Sequence, residues 1–101
     1  MKVLFGRRAL SEIREIYDRV VTQDAATARN IEDAIFRQCD MIGLFPRSSP
    51  PIRTPGVRRC PLAKYPFTIF YRFNEKRREV TIIAVVRGSR VRNLGNVPRK
   101  R

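Results

Sequence analysis

The sequence predicts an α+β domain in which a helical hairpin packs on a small antiparallel sheet, in the order β-α-α-β-β-β. Three observations carry this: helical apolar spacing from Ala9 to Ile42, alternating apolar and β-branched runs from Val57 to Arg87, and a proline-rich break between them. At 101 residues the chain has length for one modest core, hence a single domain over 1–101.

Val3-Leu4-Phe5 has strand character but is short. From Ala9 onward Leu10, Ile13, Ile16, Tyr17 and Val20 recur at threes and fours with charges between them, which predicts an amphipathic helix. Thr22-Gln23-Asp24 interrupts that pattern, and Asp24 can cap the next helix by accepting from its free N-terminal amides. In the second helix Ala28, Ile31, Ile35, Cys39 and Ile42 form one stripe, ended by Gly43 and then Pro46. So short a link makes the helices antiparallel neighbours.

Phe45 to Gly56 is rich in proline and serine and predicts an exposed connector. Strands follow at Val57–Leu62, Pro66–Asn74 and Arg78–Arg87, with turns at Ala63-Lys64-Tyr65 and Glu75-Lys76-Arg77. Pro61 cannot donate to a ladder and suits an edge. Strict alternation puts Phe67, Ile69, Tyr71 and Phe73 on one face and Thr68, Phe70 and Arg72 on the other. In the last strand it separates Val80, Ile82, Ala84 and Val86 from Thr81, Ile83, Val85 and Arg87. Two helices cover one face only, so Phe70, Ile83 and Val85 need a second cover. Two remain open: the segment from Gly88 on, with its basic tail at about 91–101, or a partner chain.

Charge is unevenly placed. Through Asp40 seven basic residues are balanced by seven acidic ones. The remaining 15 of the 22 lysines and arginines face only Glu75 and Glu79, which accounts for the net +13. A field of one sign attracts an anionic partner, whether nucleic acid, an acidic protein or a membrane surface. The N-terminus has no apolar run of signal-peptide type, and no stretch approaches the roughly 20 apolar residues of a membrane span. Cytoplasmic location is therefore expected, and Cys39 and Cys60 are expected to stay reduced there.

The chemistry inventory is sparse. Histidine is absent, so the side chain best suited to proton transfer near neutral pH is missing. No phosphate-binding glycine loop, nucleophile elbow or metal-ligand spacing occurs, and no metal or cofactor is implied. The helix acids fall at charge-pairing spacings such as Glu15/Arg19 and read as solvated faces. Any catalysis would rest on arginine, lysine and tyrosine.

Leu44-Phe45-Pro46 closing the hairpin and Pro55-Gly56-Val57-Arg58-Arg59 are followed by Tyr65-Pro66-Phe67-Thr68-Ile69-Phe70-Tyr71-Arg72. Val80 to Arg90, reading Val-Thr-Ile-Ile-Ala-Val-Val-Arg-Gly-Ser-Arg, completes the series. In this order and at these separations the segments resemble the RelE/ParE toxin superfamily over about Val3 to Arg90. The resemblance implies a toxin of a type II toxin–antitoxin pair. RelE-like members, ribosome-dependent mRNA endonucleases, tend to carry arginine after the hairpin tyrosine, where this chain has Pro66. Tyr65-Pro66 and Leu44-Phe45-Pro46 are more similar to ParE-like members, which inhibit DNA gyrase. Position 87 is arginine where many relatives have histidine, so no acid–base role carries over to it.

The resemblance implies target contact through Arg58, Arg59, Arg87 and Arg90. It also implies an acidic antitoxin whose C-terminal segment wraps the toxin, meeting Phe70, Arg72, Ile83 and Val85. Under the mRNA endonuclease alternative, with ribosome and mRNA as partners, Arg58, Arg59, Tyr71 and Arg90 would hold the phosphate. A non-toxic basic nucleic-acid-binding module is the third reading.

Overall fold

The computed structural model describes residues 1–88. It comprises β1 (Lys2–Phe5), α1 (Arg7–Val21), α2 (Ala25–Leu44), β2 (Arg58–Pro61), β3 (Phe67–Asn74) and β4 (Glu79–Arg87). The strands form one sheet in the order β1-β4-β3-β2. β2, β3 and β4 make the antiparallel meander, whereas β1 joins β4 in parallel, from Lys2↔Glu79 to Phe5↔Ile82, so the four-stranded sheet is mixed.

The helix boundaries have local causes. α1 begins at Arg7, two residues earlier than the periodicity indicates, because Gly6 already turns the chain: its N–H donates to the Ile82 carbonyl at 2.9 Å. Asp24 caps α2 as expected, its Oδ1 accepting from the amides of Ala26 (3.0 Å) and Thr27 (3.2 Å). The hydroxyl of Thr27 donates to Oδ2 at 2.8 Å, and these bonds to the ionised form hold the Asp24 carboxyl below its usual range. Gly43 does not end α2; it lies within the helix. Its role is close packing, since a Cβ there would stand 2.7 Å from Val3 Cγ2 and 3.0 Å from the Met1 carbonyl. The N-terminal ammonium donates to the Gly43 carbonyl at 2.7 Å, fastening β1 beneath the end of α2.

The helices cover one face of the sheet. Ala9, Ile13, Ile31, Ile35, Cys39 and Ile42 pack on Ile69, Tyr71, Val80, Ile82 and Val85. Cys39 and Cys60 are both buried free thiols, and burial pushes the Cys39 thiol up to about 12.

The other face carries a second cluster of Val57, Phe70, Ile83 and Ala84, with Ile52 and Val86 packed against it. This corrects the expectation that Phe70, Ile83 and Val85 share one face and await a cover from the segment after Gly88 or from a partner: Val57 and Ile52 pack on that face, and Val85 does not belong to it. Phe70, Ile83 and Val85 are all buried. The cause of the regrouping is a β-bulge: Phe70 pairs with Ala84 but Tyr71 with Ile82, so Ile83 is an extra residue in β4. Past the bulge the alternation changes phase, and Val85 joins the helix-side core while Ala84 turns to the opposite face.

The loop between α2 and β2 is likewise more than a connector. Pro51 bridges Arg58, Arg59 N–H donates to the Pro50 carbonyl at 3.0 Å, and Ile52 N–H donates to Val57 at 2.9 Å. Ile52 thereby reaches the second cluster. The segment from Ser89 on, including Arg90 and the basic tail, lies outside the described residues.

Candidate functional site

Arg58 and Tyr71 are register partners on β2 and β3. Tyr71 is fully buried, and its hydroxyl donates to the Pro46 carbonyl at 2.7 Å. The Arg58 guanidinium donates to the carbonyls of Ser49 (2.6 Å) and Arg47 (3.4 Å) and lies over the Phe73 ring, 5.5 Å from its centroid. Arg47 sits over the same ring at 5.3 Å and pairs with Glu75. The side chains of Arg58 and Tyr71 thus hold the proline-rich loop onto the sheet.

The remaining arginines are not gathered with them. Arg59 is paired opposite Phe70, so it belongs to the face away from the helices. Arg87 is exposed and stacks over Phe67 at 5.8 Å. Phe67 and Phe73 are six positions apart on β3, which separates the Arg87 and Arg58 stacking sites by roughly 20 Å at strand rise. A single phosphate cannot bridge them. Arg90 lies outside the described residues.

Of the residues expected at an antitoxin contact, Phe70, Ile83 and Val85 are interior. Only Arg72 is partly exposed. The backbone N–H of Val85 donates to Glu12 Oε1 at 2.9 Å. β1 pairs with β4 only as far as Ile82, and Glu12 satisfies that amide beyond its end. Arg8 holds Glu12 in turn at 3.0 Å.

The apolar surface left open is on the helices. Leu10, Ile13, Tyr17 and Phe36 line a groove of about 430 Å³ across the hairpin's outer side, with Arg14, Asp18 and Glu32 at its rim. Leu10 is 50% exposed. The α1 periodicity had merged two arcs. At 100° per residue Ala9, Ile13, Ile16 and Val20 share one side, while Leu10 and Tyr17 are turned from its centre by roughly 70–90°. Separating those arcs would have exposed the groove in the sequence. A second open patch, Met41, Leu44 and Phe45, closes α2.

Among the described residues, no group of three or more histidine, cysteine, aspartate or glutamate side chains is placed to hold a metal ion. No helix among them is long and apolar enough to cross a membrane.

A structure of the chromosomal ParDE toxin–antitoxin system from P. aeruginosa matches with a TM-score of 0.78 and 24% identity, over 87% of this chain and 96% of that one. The isolated E. coli RelE toxin matches with a TM-score of 0.65 and 15% identity, over 94% and 92%. The intact E. coli RelBE toxin–antitoxin complex gives 0.67 and 16%, over 88% and 98%. At these identities the structures establish a shared fold. No curated protein sequence matches the chain. The family model for the ParE toxin of the type II toxin–antitoxin system parDE matches residues 3–92, nearly the whole length. With the same strand, hairpin and meander in the same order, this chain belongs to the ParE toxin family.

Proposed function

We propose that this toxin arrests growth in the bacterial cytoplasm by inhibiting DNA gyrase, and that a cognate antitoxin neutralises it. The observation that carries the choice of target is the commitment of Arg58 and Tyr71. Both side chains are bound to loop carbonyls, and Tyr71 is wholly interior. Neither is free to grip a scissile phosphate, and the sequence supplies no histidine to move a proton. Inhibition by binding needs none of this.

The antitoxin's seat, in this reading, is the hairpin groove. An amphipathic segment would lay apolar side chains on Leu10, Tyr17 and Phe36. The +13 net charge favours an acidic chain, disordered until bound. Both relatives named as ParDE and RelBE are toxin–antitoxin systems, which supports such a partner.

Induced expression tests the target. Inhibition of gyrase produces DNA damage and filamentous cells with intact messages. Rapid, codon-positioned cleavage of ribosome-bound mRNA would replace this reading with the endonuclease one.

A further inference from the structure

Arg72 lies near the end of β3, opposite Thr81, on the sheet face turned away from the helices. Its Nε and Nη2 are shielded from solvent, and neither has a hydrogen-bond partner among the described residues. These two nitrogens make up one edge of the guanidinium, with N–H bonds running parallel, the edge that grips a carboxylate or phosphate with two bonds at once. Leaving charged donors buried and unpaired opposes folding. An orphaned edge of this kind calls for an anion.

A cavity of about 150 Å³ adjoins it, lined by Arg72, Phe73, Asn74, Glu79 and Thr81. Asn74 Oδ1 accepts from the Arg77 amide at 3.0 Å, which fixes the side chain and leaves its NH₂ to donate. Thr81 brings a hydroxyl. Glu79 forms no ion pair with Arg72 among the described residues, so the chain's own nearby carboxylate does not answer it. Because neither orphaned nitrogen is bonded, turning the guanidinium into the cavity breaks no hydrogen bond.

We propose that Arg72 is the receptor for a single carboxylate of the antitoxin, held side-on by Nε and Nη2 with Asn74 and Thr81 completing its bonds. This rests on the antitoxin reading above. A carboxylate fits better than a phosphate: Glu79 on the cavity wall repels a doubly charged group more strongly, and the volume admits a side-chain head rather than a nucleotide.

Acetate is the probe in the isolated chain. With 15N-labelled arginine, acetate at ionic strength matched by chloride shifts the Arg72 Nε–H resonance saturably, and Arg72→Lys, which keeps the charge but loses the edge, abolishes the response. Absence of a saturable acetate shift overturns the proposal, as does a response to inorganic phosphate alone. With the cognate antitoxin, Arg72→Lys weakens binding by about tenfold or more; unchanged affinity overturns the assignment. The acetate arm needs no antitoxin, so its failure leaves the partner reading standing. An antitoxin that fails to bind the unaltered toxin defeats that reading instead.

Discussion

The Tyr71 hydroxyl, on the central strand β3, donates to the carbonyl of Pro46 at 2.7 Å, tying the start of the proline-rich loop to the sheet. Arg58 repeats the tie one strand away, at Ser49. The pair that an endonuclease would use to hold a phosphate is here a fastening, and that difference underlies the functional reading.

Tyr71→Phe separates fastening from chemistry. Removing the hydroxyl leaves the Pro46 carbonyl without this donor and lowers stability by about 1 kcal/mol. Denaturant unfolding should register that loss while growth arrest persists at an unchanged dose. Lost toxicity with unchanged stability would return Tyr71 to a catalytic role.

Leu10→Glu tests the hairpin groove. The side chain is half exposed and packs little of the core, so melting should move by no more than about 2–4 °C. Antitoxin affinity, measured by calorimetry, should fall by about tenfold or more because a charge is placed on the apolar seat. Full affinity would move the antitoxin elsewhere.

Gly43→Ala tests the anchoring of β1. The added methyl meets Val3 Cγ2 and the Met1 carbonyl, so helix and strand must part, at a cost of about 1–3 kcal/mol despite alanine's better helix propensity. A more stable variant would mean that this contact yields freely.

Two titrations bracket the pH range of stability. The Asp24 carboxyl is depressed in the fold, so its capping contribution is present above its ordinary value of 3.8 and is lost as pH falls through the folded value. Asp24→Asn should flatten the acid limb while keeping a cap. Cys39 behaves oppositely. Its thiol holds its proton to about 12 in the fold but only to 9.0 when exposed, so its contribution is complete below 9.0 and declines as pH rises towards 12. Iodoacetamide at pH 8 should leave Cys39 unmodified in the folded chain and label it on unfolding. Rapid labelling of the folded chain would contradict its burial.

Much of this fold was legible because its signals are local. Asp24 announces its cap, and Ala28, Ile31, Ile35, Cys39 and Ile42 announce the buried side of α2. Phe67, Ile69, Tyr71 and Phe73 share the helix-facing side as their alternation implies. The bulge was not legible, since Ile82 to Val86 is apolar throughout and no polar residue marks where the phase changes. Nor was the second core: Ile52 is a single apolar residue among prolines, and only the Pro51–Arg58 bridge brings it onto Phe70's side of the sheet. The candidate site suffered from the same gap. Arginines that adjoin in sequence, such as Arg58 and Arg59, part to opposite faces, and the hairpin groove hides inside a helix stripe that looks single until it is divided into arcs.

The most direct test of the account combines purified toxin, purified gyrase and relaxed plasmid in a supercoiling and cleavage assay. Inhibited supercoiling with accumulation of cleaved plasmid is the expected result, reversed by prior addition of antitoxin and retained by Tyr71→Phe. Normal supercoiling at every toxin concentration, alongside codon-positioned cleavage of message on purified ribosomes, would contradict it.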